Sequence, residues 1–372
     1  MHMRTHMKLG LIFLLCCTYS VLLAQKDSLV TRQVTLNMTG FFDFYYAYDF
    51  NQPQSASRQP FLSNYNRHNQ INLNLGFIKF DLEHAKYRAK LAVQTGTYAQ
   101  DNYAAEAGAW KNILEANVGI SLNKQNNLWL EAGVLPSFIG FETAIAPDNW
   151  TLTRSILAEN TPYFVTGAKL TYDPNERWEF AALILNGWQR IQSLKGNTMP
   201  SLGTQVMFKP RENAIFNWST FWGSDDPDAI RRMRYFNNFY GQFKVNKRIA
   251  LLVGMDVGFQ QTQKNSTRYN YWISPILIGQ FTLAENWKTS VRAEYYGDPS
   301  GVIIHAIAPN GFQTTGVSLN LDYTPTASML CRVEGRWLKS KDRIFERNNS
   351  LSNTNFILAA SVSVKFSTTI KR

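Results

Sequence analysis

Residues 34–50 read VTLNMTGFFDFYYAYDF. One parity holds Val34, Leu36, Met38, Gly40, Phe42, Phe44, Tyr46, Tyr48 and Phe50, and the other includes Thr35, Asn37, Thr39, Asp43 and Asp49. Side chains of a strand alternate between its two faces, so a period of two marks a strand with one apolar and one polar face. Ordinary strands run about five or six residues. A run of seventeen residues with an unbroken apolar and aromatic face is unusual for a soluble sandwich.

The pattern recurs outward from this stretch. In 248–260, Ile249, Leu251, Val253, Met255, Val257 and Phe259 oppose Gly254, Asp256 and Gly258. In 287–296, Trp287, Val291, Ala293 and Tyr295 oppose Lys288, Ser290, Arg292 and Glu294. In 329–337, Met329, Cys331, Val333 and Trp337 oppose Arg332, Glu334 and Arg336. In 356–366, Phe356, Leu358, Ala360, Val362, Val364 and Phe366 oppose Ser361, Ser363 and Lys365. An Arg or Lys directed into lipid at the bilayer midplane costs roughly 2 to 4 kcal/mol, so in a membrane barrel Arg332 and Arg336 must point inward. A solvated sheet face would satisfy them as well, and alternation alone does not separate a barrel from a sandwich.

Connection lengths supply the missing step. Turn and breaker residues delimit strands near 34–50, 68–83, 87–98, 112–122, 128–136, 162–172, 178–186 and 201–209. Eight more follow near 214–223, 232–245, 248–262, 270–283, 287–296, 311–323, 327–339 and 355–366. Every second connection is tight and polar, such as 84–86, 123–127, 210–213 and 246–247, while the others are mostly longer, such as 51–67, 99–111 and 137–161. Short turns on one rim, long loops on the other and both ends on the short-turn side are what a bacterial transmembrane barrel requires. The expected fold is therefore all-β: a single antiparallel transmembrane barrel of about 16 strands, with short periplasmic turns and long extracellular loops. The phase slip at Phe77–Ile78 and the weak patterns at 178–186 and 201–209 widen the count to 14–18. A closed barrel pairs every backbone N–H and C=O without leaving an edge. At about 16 strands it is wide enough for an aqueous channel.

Composition agrees. The chain has 372 residues, 45% hydrophobic, 17% charged and 14% aromatic. That many aromatics exclude a disordered chain, and no mature apolar run approaches the roughly 20 residues of a spanning helix. Residues 1–24 carry a basic start (Arg4, Lys8) and apolar stretches ending at Leu22-Leu23-Ala24, which read as a secretory signal peptide cleaved after Ala24. Removing it leaves 36 basic against 27 acidic residues, about +9. It also leaves Cys331 as the one cysteine, so no internal disulfide forms. The expected organisation is signal peptide 1–24, short periplasmic segment 25–33, barrel 34–366 and C-terminal extension 367–372.

The opening strand GFFDFYYAYDFN (40–51), then NYNRHNQINLNLG (64–76), Gly140-x-Glu142, NWTLTRS (149–155) and TPYFVTGAKLTY (161–172) resemble the OmpL-like outer-membrane β-barrel porin family of diderm bacteria. The likeness covers roughly 34–366. It implies an outer-membrane porin without enzymatic residues, and because the solutes of that family are poorly defined it implies nothing finer. One departure is that six residues follow Phe366, where a terminal aromatic would serve as a barrel-assembly signal.

Loop 137–161 follows the fifth strand and carries Glu142, Asp148 and Arg154 among Phe138, Ile139, Phe141, Ile145 and Trp150. By analogy with the third loop of general porins it is expected to fold into the lumen, its charges facing wall residues in a transverse field that sorts solutes by size and charge. The alternative is an external cap, or a loop that packs for stability. Candidate wall residues are Arg88, Lys90, Asp256, Lys288, Arg292, Glu294, Arg332, Glu334 and Arg336. Their plainer role is a mixed-sign lining that keeps the lumen wet. The basic excess favours a weak preference for anions. Basic residues are dispersed by strand parity rather than gathered, which argues against nucleic-acid binding.

Catalysis has little support. His68 and His305 fall on the long-loop side and His84 in a short turn, no nucleophile elbow is present, and GxGxxG, P-loop and CxxC patterns are missing. Asp225, Asp226 and Asp228 lack calcium-loop spacing and read as a polar turn. No cofactor or metal is expected. Phe42, Tyr48, Trp178, Trp287, Tyr323 and Trp337 suit interfacial girdles. Tyr103, Trp110, Trp150, Trp188 and Trp222 are candidates for stacking on sugars.

The expected protein is an outer-membrane porin in contact with outer-membrane lipid. It would pass small hydrophilic solutes passively, narrowed by its third extracellular loop, and homo-oligomerisation stays open. The rivals are a saccharide-selective channel, a non-conducting barrel used as adhesion or structural anchor, and an outer-membrane hydrolase.

Overall fold

A computed structural model describes residues 33–371. The signal-peptide expectation for 1–24 and most of the segment 25–33 lie outside the described residues.

The wall is built from β1 (Thr35–Asp49), β2 (Ile71–Glu83), β3 (Tyr87–Thr95), β4 (Ile113–Ser121), β5 (Leu128–Pro136), β6 (Phe164–Asn175), β7 (Trp178–Leu185) and β8 (Ser201–Arg211). It continues through β9 (Ala214–Gly223), β10 (Arg234–Lys244), β11 (Ile249–Gln261), β12 (Tyr269–Ala284), β13 (Trp287–Asp298), β14 (Phe312–Thr326) and β15 (Met329–Ser340). Two three-residue strands, β16 (Phe345–Arg347) and β17 (Ser350–Ser352), form a separate hairpin in the last long loop, a feature the sequence pattern did not show. The final strand is β18 (Thr354–Lys371). Each wall strand pairs antiparallel with its neighbours, and β1 pairs both β2 and β18, closing a barrel of sixteen strands.

All sixteen expected strands are present, including β7 and β8, whose patterns are weak. The C-terminal boundary differs. Residues 367–371, expected beyond the barrel, continue β18, with Ser367 opposite Thr39 and Lys371 opposite Thr35. The reason is that β1 reaches down to Thr35, and its N–H and C=O groups need partners as far as it extends. The phase slip in β2 lies at Asn74 rather than at Phe77–Ile78, because Leu75 and Phe77 are apolar residues that face inward. Asp43 faces Leu75 and Phe44 faces Leu73, so Asn74 is the extra residue of a bulge. The bulge turns Asn74 inward, where its Oδ1 accepts from the Tyr65 N–H at 3.0 Å and its Nδ2 donates to Asp43 at 3.2 Å.

Alternation separates two environments. On β15, Val333 and Trp337 are 47% and 37% exposed, whereas Arg332 and Arg336 are 3% and 1% exposed. On β1, Phe42, Phe44 and Tyr46 stand outside while Phe41, Asp43 and Tyr45 are buried. Charged side chains therefore face the interior. Trp178, Trp287 and Tyr323 stand outward at the short-turn rim, where Trp287 stacks on Tyr323 at 4.6 Å and Trp178 on Phe208 at 4.2 Å. Phe42 departs from the girdle expectation because it lies in the middle of β1, opposite Val364.

The connections alternate as expected, from two-residue turns such as 212–213 to loops such as 50–70 and 137–163. Several long loops fold into the barrel. Leu62 and Tyr65 of loop 50–70, Leu152, Ile156 and Leu157 of loop 137–163, and Ile304 of loop 299–311 are all buried. Ile156 and Ile304 cluster with Leu183, Phe236 and Trp272, Leu157 with Ile276 and Ile278, and Tyr65 and Leu152 with Ile357 and Ala359.

Candidate functional site

Spacing of i, i+2 puts Arg292 and Glu294 of β13, Asn320 and Asp322 of β14, and Arg332, Glu334 and Arg336 of β15 on the inner face. Antiparallel register then stacks them into a ladder: Asp322 opposite Arg332, Asn320 opposite Glu334 and Ser318 opposite Arg336. Arg292 Nη2 lies 2.8 Å from Glu334 Oε1, Arg336 Nη2 is 2.6 Å from Glu294 Oε1, and Arg332 Nε is 3.0 Å from Asp322 Oδ1. Gly316 makes room for this, since a Cβ there would stand 2.7 Å from Glu294 Oε1.

The ladder holds the backbone of loop 137–163. Arg332 donates to Ala146 O at 2.7 Å, to Thr151 O at 3.1 Å and to Asn149 O. Arg292 donates to Thr153 O at 2.7 Å, and Arg336 to Arg154 O at 3.0 Å. Carboxylates take the amides: Glu334 accepts from Thr153 N at 2.6 Å and Glu294 from Ile156 N at 2.7 Å. Asn320 accepts from Leu152 N at 3.0 Å. Every polar backbone group so matched would otherwise be an unpaired buried group costing about 1–3 kcal/mol.

Other parts of the loop meet other walls. Ser219 of β9 donates to Phe138 O at 2.7 Å, and Gly140 N donates to Asn238 of β10 at 3.2 Å. Asn238 in turn donates to Asp256 at 2.6 Å, so Asp256 serves the loop through an intermediary. Leu157 packs with Leu252, Ile276 and Ile278, and Phe141 and Trp150 join them. A short helix, α1 (Ile156–Glu159), has Ser155 as its cap, accepting from Ala158 N. Glu159 accepts from Ser63 N at 2.9 Å and from Asn64 N at 3.2 Å, tying this loop to loop 50–70. Burial pushes the Glu159 carboxyl up to about 7, against the opposing effect of those donors.

Three loop charges depart from the transverse-field expectation. Among the described residues none of Glu142, Asp148 and Arg154 forms an ion pair with a wall residue. Glu142 binds Ser155 N at 3.1 Å and the Ser155 hydroxyl; burial raises its carboxyl above the ordinary range, outweighing Arg292 and Ser155. Arg154 folds back on its own loop, donating to Thr143 O at 2.5 Å, Leu152 O at 2.6 Å and Ala144 O at 3.0 Å. Its guanidinium also lies over the Tyr65 ring at 5.5 Å. Asp148 is exposed at the loop tip. The physical reason is that a buried arginine needs five acceptors, and nearby carbonyls supply them more compactly than one distant carboxylate. The wall arginines are likewise matched three to three by Asp322, Glu294 and Glu334.

Arg88 and Lys90 lie elsewhere. Arg88 pairs with Glu131 at 2.8 Å and sits 4.3 Å over Trp129, and Lys90 is 3.9 Å from Glu115. Lys79 binds Glu115 at 2.6 Å, making this wall a half-exposed mixed-charge surface. Lys288 is exposed inside the short-turn rim. Sequence reasoning missed Asp322 and Asn320, which parity with Ser318 marks as inward. It also missed Thr151, Thr153 and Tyr65, whose roles follow from loop placement that no periodicity encodes.

The five proposed sugar-stacking aromatics do not share one surface. Tyr103 is buried and stacks on Phe164 at 4.0 Å, Trp188 is wedged between Phe221 and Phe236, and Trp222 stands outward on β9. Among the described residues no cluster of three or more His, Cys, Asp or Glu could hold a metal ion.

Solved structures share this architecture. The outer membrane channel DcaP of Acinetobacter baumannii aligns with a TM-score of 0.61 at 12% identity, over 90% of this chain and 97% of that one. An anion-selective porin from Comamonas acidovorans gives 0.60 at 8% identity, over 90% and 100%. The trimer form of OmpT of Vibrio cholerae gives 0.57 at 8%, over 90% and 99%. These identities carry the fold alone. No curated protein matches the chain. The family described as "Putative beta-barrel porin-2, OmpL-like" matches residues 35–366, nearly the whole described barrel. With sixteen closed strands, charges turned inward and that match, the chain belongs to the OmpL-like β-barrel porin-2 family.

Proposed function

We propose that this outer-membrane barrel is a porin passing small hydrophilic solutes passively down their gradients, with loop 137–163 setting the limit of passage. Family and fold point to a channel rather than an enzyme. The observation that carries the finer reading is the suspension of residues 146–156 from the arginine and carboxylate ladder, inside the lumen rather than over its mouth. An external cap has no need of wall residues near the middle of β13, β14 and β15. Weak preference for anions accompanies the proposal, since the chain without its first 24 residues carries about nine more basic than acidic groups.

Swelling of proteoliposomes in solutes of graded size tests the reading. Uptake that falls off sharply with solute size is the expected result. Absence of any permeation, with the barrel folded, would favour the structural-anchor reading.

A further inference from the structure

Loop 137–163 has a second face. Its tip, Pro147 to Trp150, borders one side of a cavity of about 290 Å³ whose other walls come from β12 to β15, the turn between β14 and β15, and β18. The cavity includes Thr324, Ala327 and Ser328 of a short turn, so it lies on the short-turn side of the loop, the periplasmic side in bacterial barrels. Three charged groups enter it that the ladder does not use. Lys288 comes from β13, Lys365 from β18 and Asp148 from the loop. Among the described residues none of the three side chains has a hydrogen-bond or ion-pair partner, whereas the other charges of the lining, Arg332 and Asp322, bind each other at 3.0 Å.

We infer that this cavity is a binding subsite for a small anion bearing a carboxylate or phosphate, held between the Lys288 and Lys365 ammonium groups on the periplasmic side of the loop. Two strands separate the lysines, yet parity turns both inward, Lys288 with Ser290 and Arg292, Lys365 with Ser361 and Ser363. Two cations against one carboxylate leave the cavity one positive charge in excess. That excess favours an anion over a cation in the cavity. Asp148 then opposes the anion, keeping it weakly held, as a conducting subsite requires: strong enough to enter and weak enough to leave. The half-buried Trp150 ring and Leu330 supply the apolar side of the cavity. The size, about 290 Å³, accommodates a small molecule. This inference rests on the porin reading for its transport meaning, while the binding itself does not depend on conduction.

The test is binding of inorganic phosphate, and separately of acetate, to the detergent-solubilised full chain. It is read by broadening of the phosphate ³¹P line and by displacement of phosphate with acetate. Lys288→Gln with Lys365→Gln is expected to weaken phosphate binding at least about tenfold, and Asp148→Asn to tighten it severalfold. Lys288→Arg with Lys365→Arg should retain binding, which separates lost charge from a damaged barrel, and Lys124→Gln in a different short turn should change nothing. Unaltered phosphate binding in the double glutamine variant, or weaker binding in Asp148→Asn, would overturn the subsite. Phosphate that binds to a barrel without conductance would refute the porin reading and leave the subsite standing. Conductance without phosphate or acetate binding would do the reverse.

Discussion

Arg292 on β13 and Glu334 on β15 meet at 2.8 Å across the intervening strand, both fully buried, with Thr153 of the inward loop bonded to each. Taking two charges out of water is costly, and their attraction offsets the cost only when the remaining donors and acceptors are satisfied. Thr153 supplies part of that satisfaction, with its hydroxyl 2.9 Å from Arg292 Nη2 and 2.7 Å from Glu334 Oε1. Glu334→Gln leaves Arg292 and Arg336 sharing the single carboxylate of Glu294, 3.3 Å and 2.6 Å away, and is expected to lower unfolding stability by about 3–5 kcal/mol. Thr153→Val removes only the hydroxyl and should cost about 1–3 kcal/mol. Urea unfolding in lipid vesicles measures both.

Outward and inward faces should respond oppositely to charge. Leu319 stands on the outer face near the middle of β14 and is 60% exposed. Leu319→Arg is expected to cost roughly 2–4 kcal/mol by placing the guanidinium in lipid. Gln280→Arg, on the half-buried inner face of β12 beside the polar cavity, should change stability by less than about 1 kcal/mol. The same unfolding measurement compares them.

The tie between loops 137–163 and 50–70 should depend on pH. The Glu159 carboxyl, ordinarily near 4.5, is raised to about 7 by burial. The folded state thus favours the neutral form, so the stabilisation is complete below about pH 4.5 and is lost as the pH rises through 7. Resistance to unfolding should therefore fall between pH 5 and pH 8, and Glu159→Gln should flatten that part of the profile.

Arg154 holds three carbonyls of its own loop. Arg154→Met removes those donors while keeping the apolar stem, and amide exchange across 143–153 should accelerate by about tenfold or more. Mass-resolved hydrogen exchange reads it, with β1 as an unaffected reference.

Fold and site differ in how far the residues announce them. The seventeen-residue alternation of 34–50 and the paired rhythm of turn and loop specify the wall, because lipid and water impose a strict two-residue period. The inward aim of Arg332 and Arg336 follows from the same rule. What they bind does not. Loop 137–163 has no period, and its carbonyls, the acceptors that satisfy the arginines, look alike in any sequence. Charge counting therefore pairs Glu142 and Arg154 with the wall, while the structure pairs each with its own loop. Trp222 misleads for a related reason: near a strand end, one residue of boundary decides between loop and lipid.

The central claim is that a water-filled passage is limited by a loop held within the barrel. Single-channel recording in planar bilayers, comparing the full chain with a variant whose residues 143–153 are replaced by a short Gly-Ser link, tests it most directly. The account predicts a conducting parent and a severalfold larger conductance in the variant, with a raised solute size limit. Equal conductance in the two, both folded and inserted, would contradict it.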